Sequence, residues 1–150
     1  VNILTNHAVN NNKITVFGGE QQRPNLHIQD MCDLYKLLLE LPDEKIAGEI
    51  FNAGYQNQSI MEIATIVKKV TQEEFAEKGE IPIVTTPSND NRSYRITSDK
   101  IAAKLGFTPK RTIEDAVRDL CRAFRAGQLP NSMTDDRYYN VKILKKTRAS

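Results

Sequence analysis

Apolar residues recur at helical spacing in five segments of the chain, and each segment predicts a helix with one buried face. The apolar stripes begin at Ile3, Met31, Ile60, Ile101 and Ile113. Residues three and four positions apart lie on the same side of a helix, so these stripes also identify the candidate core. The pattern therefore predicts a globular protein with several amphipathic helices.

Polar residues, glycines and a proline mark where several of these helices begin and end. Two segments have the spacing of a capping box, in which the first and the last side chain each accept a hydrogen bond from a backbone N–H group at the start of the helix. These segments are Ser59 to Glu62 and Thr112 to Asp115. Pro42, Gly106 and Gly127 stand where the second, fourth and fifth helices should end. The predicted N-terminal capping residues are Asp30, Ser59, Ser98 and Thr112.

Four short apolar runs between the helices predict strands, because they are bounded by glycine or polar residues and most are rich in β-branched residues. They cover Ile14–Phe17 and residues 26–28, 48–54 and 81–84. The predicted element order is α-β-β-α-β-α-β-α-α. Strands and helices that alternate in this way are typical of an α/β fold.

Composition and charge indicate one domain with a short basic tail. The chain has 150 residues, of which 39% are hydrophobic and 27% are charged, as expected for a globular protein. Residues 137–150 contain five basic and no acidic residues, whereas the whole chain carries +2, so residues 1–136 carry −3. We therefore divide the chain into a domain of residues 1–136 and a basic C-terminal tail of residues 137–150.

Several functional classes find little support in the sequence. Cys32 and Cys121 are isolated, which favours a reducing cytoplasm over a secreted disulfide framework, and neither lies at metal-ligand spacing from a histidine. No apolar run approaches the roughly 20 residues that span a bilayer. None of the seven glycines belongs to a phosphate-binding or dinucleotide-binding loop. We expect a cytoplasmic protein without a metal.

Two polar loops are the candidates for ligand binding. One carries Arg23 beside Pro24, and the other carries Asp90 and Arg92 between a strand and a helix. If Arg23 and Arg92 converge, their guanidinium groups suit a diphosphate, and Asp90 would orient one arginine or accept a sugar hydroxyl. The alternative is two solvated turns with an Asp90–Arg92 surface pair, worth less than about 1 kcal/mol.

Tyr138 and Lys142 lie four residues apart, a spacing that places both on one face of a helix. They follow the last well-patterned helix and lack a glycine-rich strand before them. We interpret this spacing as coincidental and expect the tyrosines to pack the tail onto the core. No catalytic residue is assigned in this chain.

A series of short motifs, in this order and spacing, resembles the C-terminal half of the extended short-chain dehydrogenase/reductases. This is the NAD-dependent nucleotide-sugar epimerase and dehydratase family, and the resemblance runs from about residue 1 to about residue 140. The motifs are Val16-Phe17-Gly18-Gly19, Gln22-Arg23-Pro24, His27-Ile28 with Asp30, Phe51-Asn52-Ala53-Gly54, Asp90-Asn91-Arg92-Ser93-Tyr94, Lys100-Ile101 and Leu105-Gly106-Phe107-Thr108-Pro109.

The resemblance implies a fold and a set of binding residues. The chain would be the substrate-binding portion of such an enzyme, a small sheet with flanking helices, with the Rossmann N-terminal half missing. Arg23 and Arg92 would contact the diphosphate of a nucleotide-diphospho-sugar, with Asp90 beside them. His27 would help to shape the site, and Asn52 would lie near the interface with the cofactor domain.

The resemblance also implies partners and chemistry that this chain does not supply alone. NAD and the catalytic Tyr-x-x-x-Lys pair belong to an upstream Rossmann half, and the family's reactions pass through a 4-keto sugar. The complete enzyme is expected to form a homodimer. Because the chain begins within a predicted helix at Val1, we expect an excised segment, whose exposed apolar face would make it self-associate.

Two other functions remain open. A free-standing module could bind nucleotide sugars or a protein partner without catalysis. A nucleic-acid binder could use the basic tail, although five charges supply only a modest electrostatic contribution. We rank the nucleic-acid reading last and expect neither a nucleic acid nor a membrane partner. The sequence leaves open the nucleotide, the sugar, and the choice between epimerisation, dehydration and reduction.

Overall fold

The computed structural model describes residues 1–90 and 92–148, and it has helices packed around two small sheets. The α/β class predicted from the sequence is confirmed. Short 3₁₀ helices cover Asp43–Lys45, Ala76–Lys78 and Asp136–Tyr138. The main elements are α1 (Asn2–Asn11), β1 (Ile14–Phe17), β2 (Gln22–Asn25), α2 (Ile28–Glu40), β3 (Gln56–Ser59), α3 (Ile60–Glu74), β4 (Ile83–Thr86), α4 (Asp99–Leu105), α5 (Ile113–Arg125) and α6 (Asn140–Arg148).

Each sheet has two strands. β1 pairs with β4 in parallel, so that Ile14 lies opposite Ile83. β2 pairs with β3 in antiparallel register, with Gln22 opposite Ser59. Parallel strands need a long crossover connection, and here α2, β3 and α3 lie between β1 and β4 in the chain.

The main core lies where α1, α3 and α5 pack against one another and α1 and α3 pack against β1. Burial of these apolar side chains supplies most of the driving force for folding. A second, smaller cluster of Leu34, Ile101 and Phe107 joins α2 to α4 and the segment that follows it. The buried residues of the main core are Ala8, Ile14, Val16, Ile63, Ala64, Val67, Val70, Phe75, Ile81, Ile113, Val117 and Cys121.

Both predicted capping boxes are confirmed. Ser59 Oγ accepts a hydrogen bond from Glu62 N, and Glu62 accepts one from Ser59 N at the start of α3. Thr112 and Asp115 do the same at the start of α5. Gly106 ends α4 with a φ of 69°, which is the left-handed conformation expected at that position.

Two predicted strands are wrong. Residues 26–28 include the start of α2, because the His27 imidazole caps that helix by accepting a hydrogen bond from Gln29 N. Residues 48–54 are irregular: Phe51 and Ala53 pack onto the α2–α4 cluster, Ile50 is exposed, and Gly54 N donates to Ser98 Oγ. β2 and β3 are instead polar, and their half-buried side chains show no alternation of apolar and polar residues.

Two predicted capping residues have other partners. Asp30 lies inside the first turn of α2, where it is buried and accepts hydrogen bonds from Lys110 N and Arg111 N. Ser98 precedes α4 but does not cap it with its side chain, because Ser98 Oγ bonds to Gly54. Both residues therefore join distant segments of the chain.

The C-terminal segment contains a helix that the sequence pattern did not predict. α6 follows the 3₁₀ turn Asp136–Tyr138, and Lys142 and Lys146 both reach Asp136. Tyr139 Oη donates to Met133 O at 3.0 Å, which fixes the start of the tail. Residue 91 of the second loop motif and residues 149–150 of the tail lie outside the described residues.

Among the described residues, we find no helix that combines the length and the apolar character needed to cross a membrane.

Candidate functional site

The two predicted binding loops meet along the free edge of β2. Gln22 N donates to Ser93 Oγ at 2.9 Å, and Tyr94 N donates to Gln22 O at 3.0 Å. β2 is therefore paired with β3 on one side and with the segment around residue 93 on the other. This pairing brings the arginines of the two loops together, as the sequence analysis required for a diphosphate site.

Arg23 lies in β2 and not in a loop as the sequence predicted, and its side chain reaches the second loop. Its Nη1 donates to Gln22 O at 2.9 Å and to Arg92 O at 2.5 Å. Its guanidinium group lies over the Tyr94 ring, 5.3 Å from the ring centroid, within the range of a cation–π contact. Its Nη2 lies 4.0 Å from Asp90 Oδ2. These contacts fix the side chain in one orientation.

Arg92 is held by Asp90 through two parallel hydrogen bonds. Arg92 Nε lies 2.7 Å from Asp90 Oδ1, and Arg92 Nη2 lies 2.8 Å from Asp90 Oδ2. The hydrogen bonds from Arg92 hold the pKa of Asp90 well below its usual range, and Asp90 in turn raises the pKa of Arg92. The side chain of Arg92 is 72% exposed. Both groups therefore stay charged, and Arg92 faces solvent.

The cluster has the chemistry of an oxyanion site. It combines two guanidinium groups with one carboxylate, so its net charge is positive. Asp90 occupies one edge of Arg92 and so directs the remaining donors of this guanidinium outward. The Asp90–Arg92 pair is exposed and contributes little to stability, so its main consequence is the orientation of Arg92.

His27 and Asn52 lie apart from this cluster. Within residues 1–90 and 92–148, no hydrogen bond or ion pair joins either residue to Arg23, Asp90 or Arg92. Asn52 is exposed in the irregular segment before β3.

His27 is buried at the base of a separate cleft of about 510 Å³ between α1, α2 and α5. Its Nδ1 caps α2, and its Nε2 lies 3.4 Å from Asp119 Oδ2 without hydrogen-bond geometry. The arrangement gives His27 a clear structural task at the start of α2.

Tyr94 and Ser93 belong to the site but were not assigned to it from the sequence. Tyr94 supplies the aromatic face under Arg23, and Ser93 ties its loop to β2. Their positions one and two residues after Arg92 were the available signal, because they extend the motif that carries Arg92.

The turn after β1 does not fit a dinucleotide. In a dinucleotide site, a glycine-rich loop leads from a parallel strand into a helix whose first N–H groups bind the pyrophosphate. Here Gly18 and Gly19 lead from β1 into β2, and Gly19 N is already bonded to Gln21 Oε1 at 2.7 Å. We assign no step of a reaction through NAD to these residues.

Comparison with known proteins agrees with the motifs and the fold. Residues 1–54 match the NAD dependent epimerase/dehydratase family. This match agrees with the resemblance recognised from the sequence. A dTDP-glucose 4,6-dehydratase of Shigella flexneri is 26% identical over 118 residues, which are 75% of this chain and 32% of that enzyme. The chain thus spans about a third of the length of the curated relatives it matches.

Solved structures of extended short-chain dehydrogenase/reductases share the fold. A dTDP-glucose 4,6-dehydratase of Bacillus anthracis in complex with NAD has a TM-score of 0.67 at 17% identity, covering 89% of this chain and 41% of that one. A Thermotoga maritima UDP-glucose 4-epimerase with UDP-glucose also has a TM-score of 0.67, at 22% identity, covering 84% and 39%. An L-threonine dehydrogenase of Phytophthora infestans matches as well, with a TM-score of 0.67 at 12% identity, covering 83% and 40%.

Proposed function

We propose that this chain is the substrate-binding part of an NAD-dependent nucleotide-sugar epimerase or dehydratase. Arg23 and Arg92 would clamp the diphosphate of a nucleotide-diphospho-sugar. The observation that carries this proposal is the cluster of Arg23, Asp90, Arg92 and Tyr94, in which the guanidinium groups of β2 and of a distant loop are held side by side.

A diphosphate fits this cluster better than a single carboxylate or phosphate would. Its negative charge is spread over several oxygens on two phosphorus atoms, and two arginines can share them. Arg92 is already oriented by Asp90, and Arg23 is already fixed by two backbone carbonyls, so little conformational freedom is lost when the ligand binds.

The remaining site assignments belong to the same proposal. His27 would shape the substrate site indirectly by fixing the start of α2. Asn52 would lie near the contact with a cofactor-binding domain, which its exposure permits. Residues 1–136 would form the substrate-binding domain and residues 137–150 the basic tail. NAD would be held by residues outside this chain, because the turn after β1 does not fit it.

The alternative is a free-standing module that binds nucleotide sugars or a protein partner without catalysis. The fold by itself does not decide between substrates, since an L-threonine dehydrogenase shares it as closely as a UDP-glucose 4-epimerase does. In this proposal, the substrate class is therefore inferred from the charge and geometry of the arginine cluster.

The clamp is tested by measuring how tightly UDP-glucose and dTDP-glucose bind to the native polypeptide that carries this sequence. Calorimetry should show that Arg23→Ala and Arg92→Ala each weaken binding by about 1.5 to 3 kcal/mol, roughly ten- to hundredfold in Kd. Arg92→Lys keeps the charge but loses the fork with Asp90, so its affinity should lie between those of the parent and Arg92→Ala.

Arg95→Ala is the matched control, because Arg95 is an exposed arginine three residues along the same loop. Its loss removes the same charge and should leave affinity within about twofold of the parent. If Arg23→Ala and Arg92→Ala bind both sugars as tightly as the parent, the clamp is wrong.

A second measurement separates an enzyme from a free-standing module. The intact mass of the native polypeptide, tagged at its C-terminus in the source cells, should be at least about twice 17.0 kDa if a Rossmann domain precedes these residues. A mass near 17.0 kDa would favour the module without catalysis.

A further inference from the structure

The side-chain amide of Gln21 joins the turn before β2, the strand that carries Arg23, to the loop that carries Arg92. Gln21 Nε2 donates to Phe17 O at 3.1 Å and to Asp90 O at 2.9 Å, while Gln21 Oε1 accepts from Gly19 N at 2.7 Å. The residue is 8% exposed. One amide thus connects the end of β1, the glycine turn and the loop of Asp90, which lies 69 residues away.

Gly18 leaves the space that this amide occupies. A Cβ at Gly18 would lie 2.6 Å from Gln21 Nε2, which is closer than non-bonded atoms approach. Gly18 also has a φ of 75°, a conformation that other residues rarely adopt. The backbone of the turn is therefore shaped to hold the Gln21 side chain against it.

The backbone of the same turn has a separate task. Ile60 N donates to Gln21 O at 3.1 Å, and Met61 N donates to Gly19 O at 3.0 Å, so these carbonyls hold the start of α3. These bonds do not involve the Gln21 side chain. A change of that side chain should therefore act on the Asp90 loop while the start of α3 is retained.

We infer that Gln21 is a positioning residue for the diphosphate clamp. It fixes the backbone of Asp90, and Asp90 holds Arg92 through its two carboxylate oxygens. Arg23, the other half of the clamp, is two residues after Gln21 and binds the backbone of Arg92. Gln21 thereby sets the spacing of the two guanidinium groups without touching the ligand. This inference rests on the proposed function.

The test is a double-mutant cycle between Gln21 and Arg92 in the native polypeptide, with UDP as the probe. Gln21→Met keeps the length of the side chain but removes its three hydrogen bonds. We expect it to weaken UDP binding about tenfold. In the parent, Arg92→Ala should weaken UDP binding at least tenfold. In the Gln21→Met background, the same substitution should weaken UDP binding less than about threefold, because Arg92 is no longer positioned there.

A second readout separates positioning from general damage. UMP carries a single phosphate and depends less on the spacing of two arginines, so Gln21→Met should weaken UMP binding less than UDP binding. Gln29→Met is the control, because the Gln29 amide bonds Asp33 one turn along α2, away from the arginine loops. It should leave both affinities unchanged.

Thermal unfolding shows whether each variant is folded. If Gln21→Met does not fold, Gln21→Asn takes its place, because it keeps the amide but is one methylene too short to reach Asp90 O. Faster amide hydrogen exchange around Ser93 is expected in whichever variant is folded.

The inference about Gln21 would be overturned if Gln21→Met weakened UDP and UMP binding equally. It would also be overturned if the effects of Gln21→Met and Arg92→Ala on UDP binding were additive in the double variant. Unchanged UDP binding in Arg23→Ala and Arg92→Ala would instead overturn the clamp itself.

Discussion

Asp30 and Arg111 are 81 residues apart in the chain, and Arg111 Nη1 lies 2.5 Å from Asp30 Oδ1. Asp30 Oδ2 also accepts hydrogen bonds from Lys110 N at 3.0 Å and Arg111 N at 2.9 Å. The carboxylate is 2% exposed, so it joins the first turn of α2 to the segment before α5 inside the protein. This contact fixes α2 relative to the main core.

Asp30→Ala should destabilise the protein strongly, because it leaves two backbone N–H groups without their acceptor and removes the buried one of the two carboxylates that bind Arg111. We expect the free energy of unfolding to fall by about 3 kcal/mol, as measured by urea denaturation. Asp33→Ala is the control, since Asp33 binds the same Arg111 Nη1 at 2.8 Å but is 48% exposed. It should cost less than about 1 kcal/mol. Equal effects of the two substitutions would contradict a special role for the buried carboxylate.

The same residue shows what the sequence could and could not predict. An acid before an apolar stripe predicts a helix cap, and α2 was predicted close to its true range. The true cap is His27, three residues earlier, and Asp30 is instead bound by residues from a distant segment. Local signals therefore located the helix, whereas the partner of Asp30 depends on the tertiary fold.

The same distinction between local sequence signals and tertiary contacts applies to the strands and to the candidate site. β3 consists of Gln, Asn, Gln and Ser, which carry no strand signal in the sequence. Arg23 and Arg92 could be named because each stands in a recognisable motif, although Arg23 lies in β2 and not in the loop that the sequence predicted. Gln21 could not, since it acts through a carbonyl 69 residues away.

Glu49 joins the irregular segment before β3 to α4. Its carboxylate binds Lys100 Nζ at 2.6 Å and also binds Lys104. Lys100 in turn donates to Ile50 O and lies over the Phe51 ring. The hydrogen bonds from Lys100 and, second, from Lys104 lower the pKa of Glu49 to about 2.

Because this pKa is lower in the folded protein than in the unfolded chain, Glu49 stabilises the fold above the unfolded value of about 4.3. The contribution should fade as the pH falls from about 5 to about 2. Glu49→Gln should therefore lower the Tm at pH 7, and its difference from the parent should narrow through that window. Glu44→Gln, a change of an exposed acid five residues earlier, should show no such narrowing. A constant difference in Tm from pH 7 to pH 2 would contradict the assignment.

α2 carries a second apolar stripe on its exposed side. Ile28 is 73% exposed, Tyr35 is 60% exposed and Leu39 is 88% exposed, and Cys32 is exposed between the first two. These residues follow one another at intervals of four, three and four, which places them on one face of the helix. An apolar stripe of this kind is typical of a contact surface.

Under the proposed function, a cofactor-binding domain in the same polypeptide would cover this stripe. Cys32 then reports the contact. In the native polypeptide its thiol should resist alkylation by iodoacetamide, measured by peptide mass spectrometry, and Leu39→Asp should restore the reaction. Lys36→Asp, on the neighbouring exposed position of α2, should leave Cys32 protected.

Light scattering distinguishes a contact within one polypeptide from a contact with a second copy of the chain. Contact within one polypeptide should protect Cys32 equally at all protein concentrations, whereas contact between two copies should protect it only at concentrations where the mass doubles. Rapid alkylation of Cys32 in the native polypeptide at every concentration would show that the stripe faces solvent. The exposed apolar residues of α2 would then have no partner within the protein, and the free-standing module would become the better account of this chain.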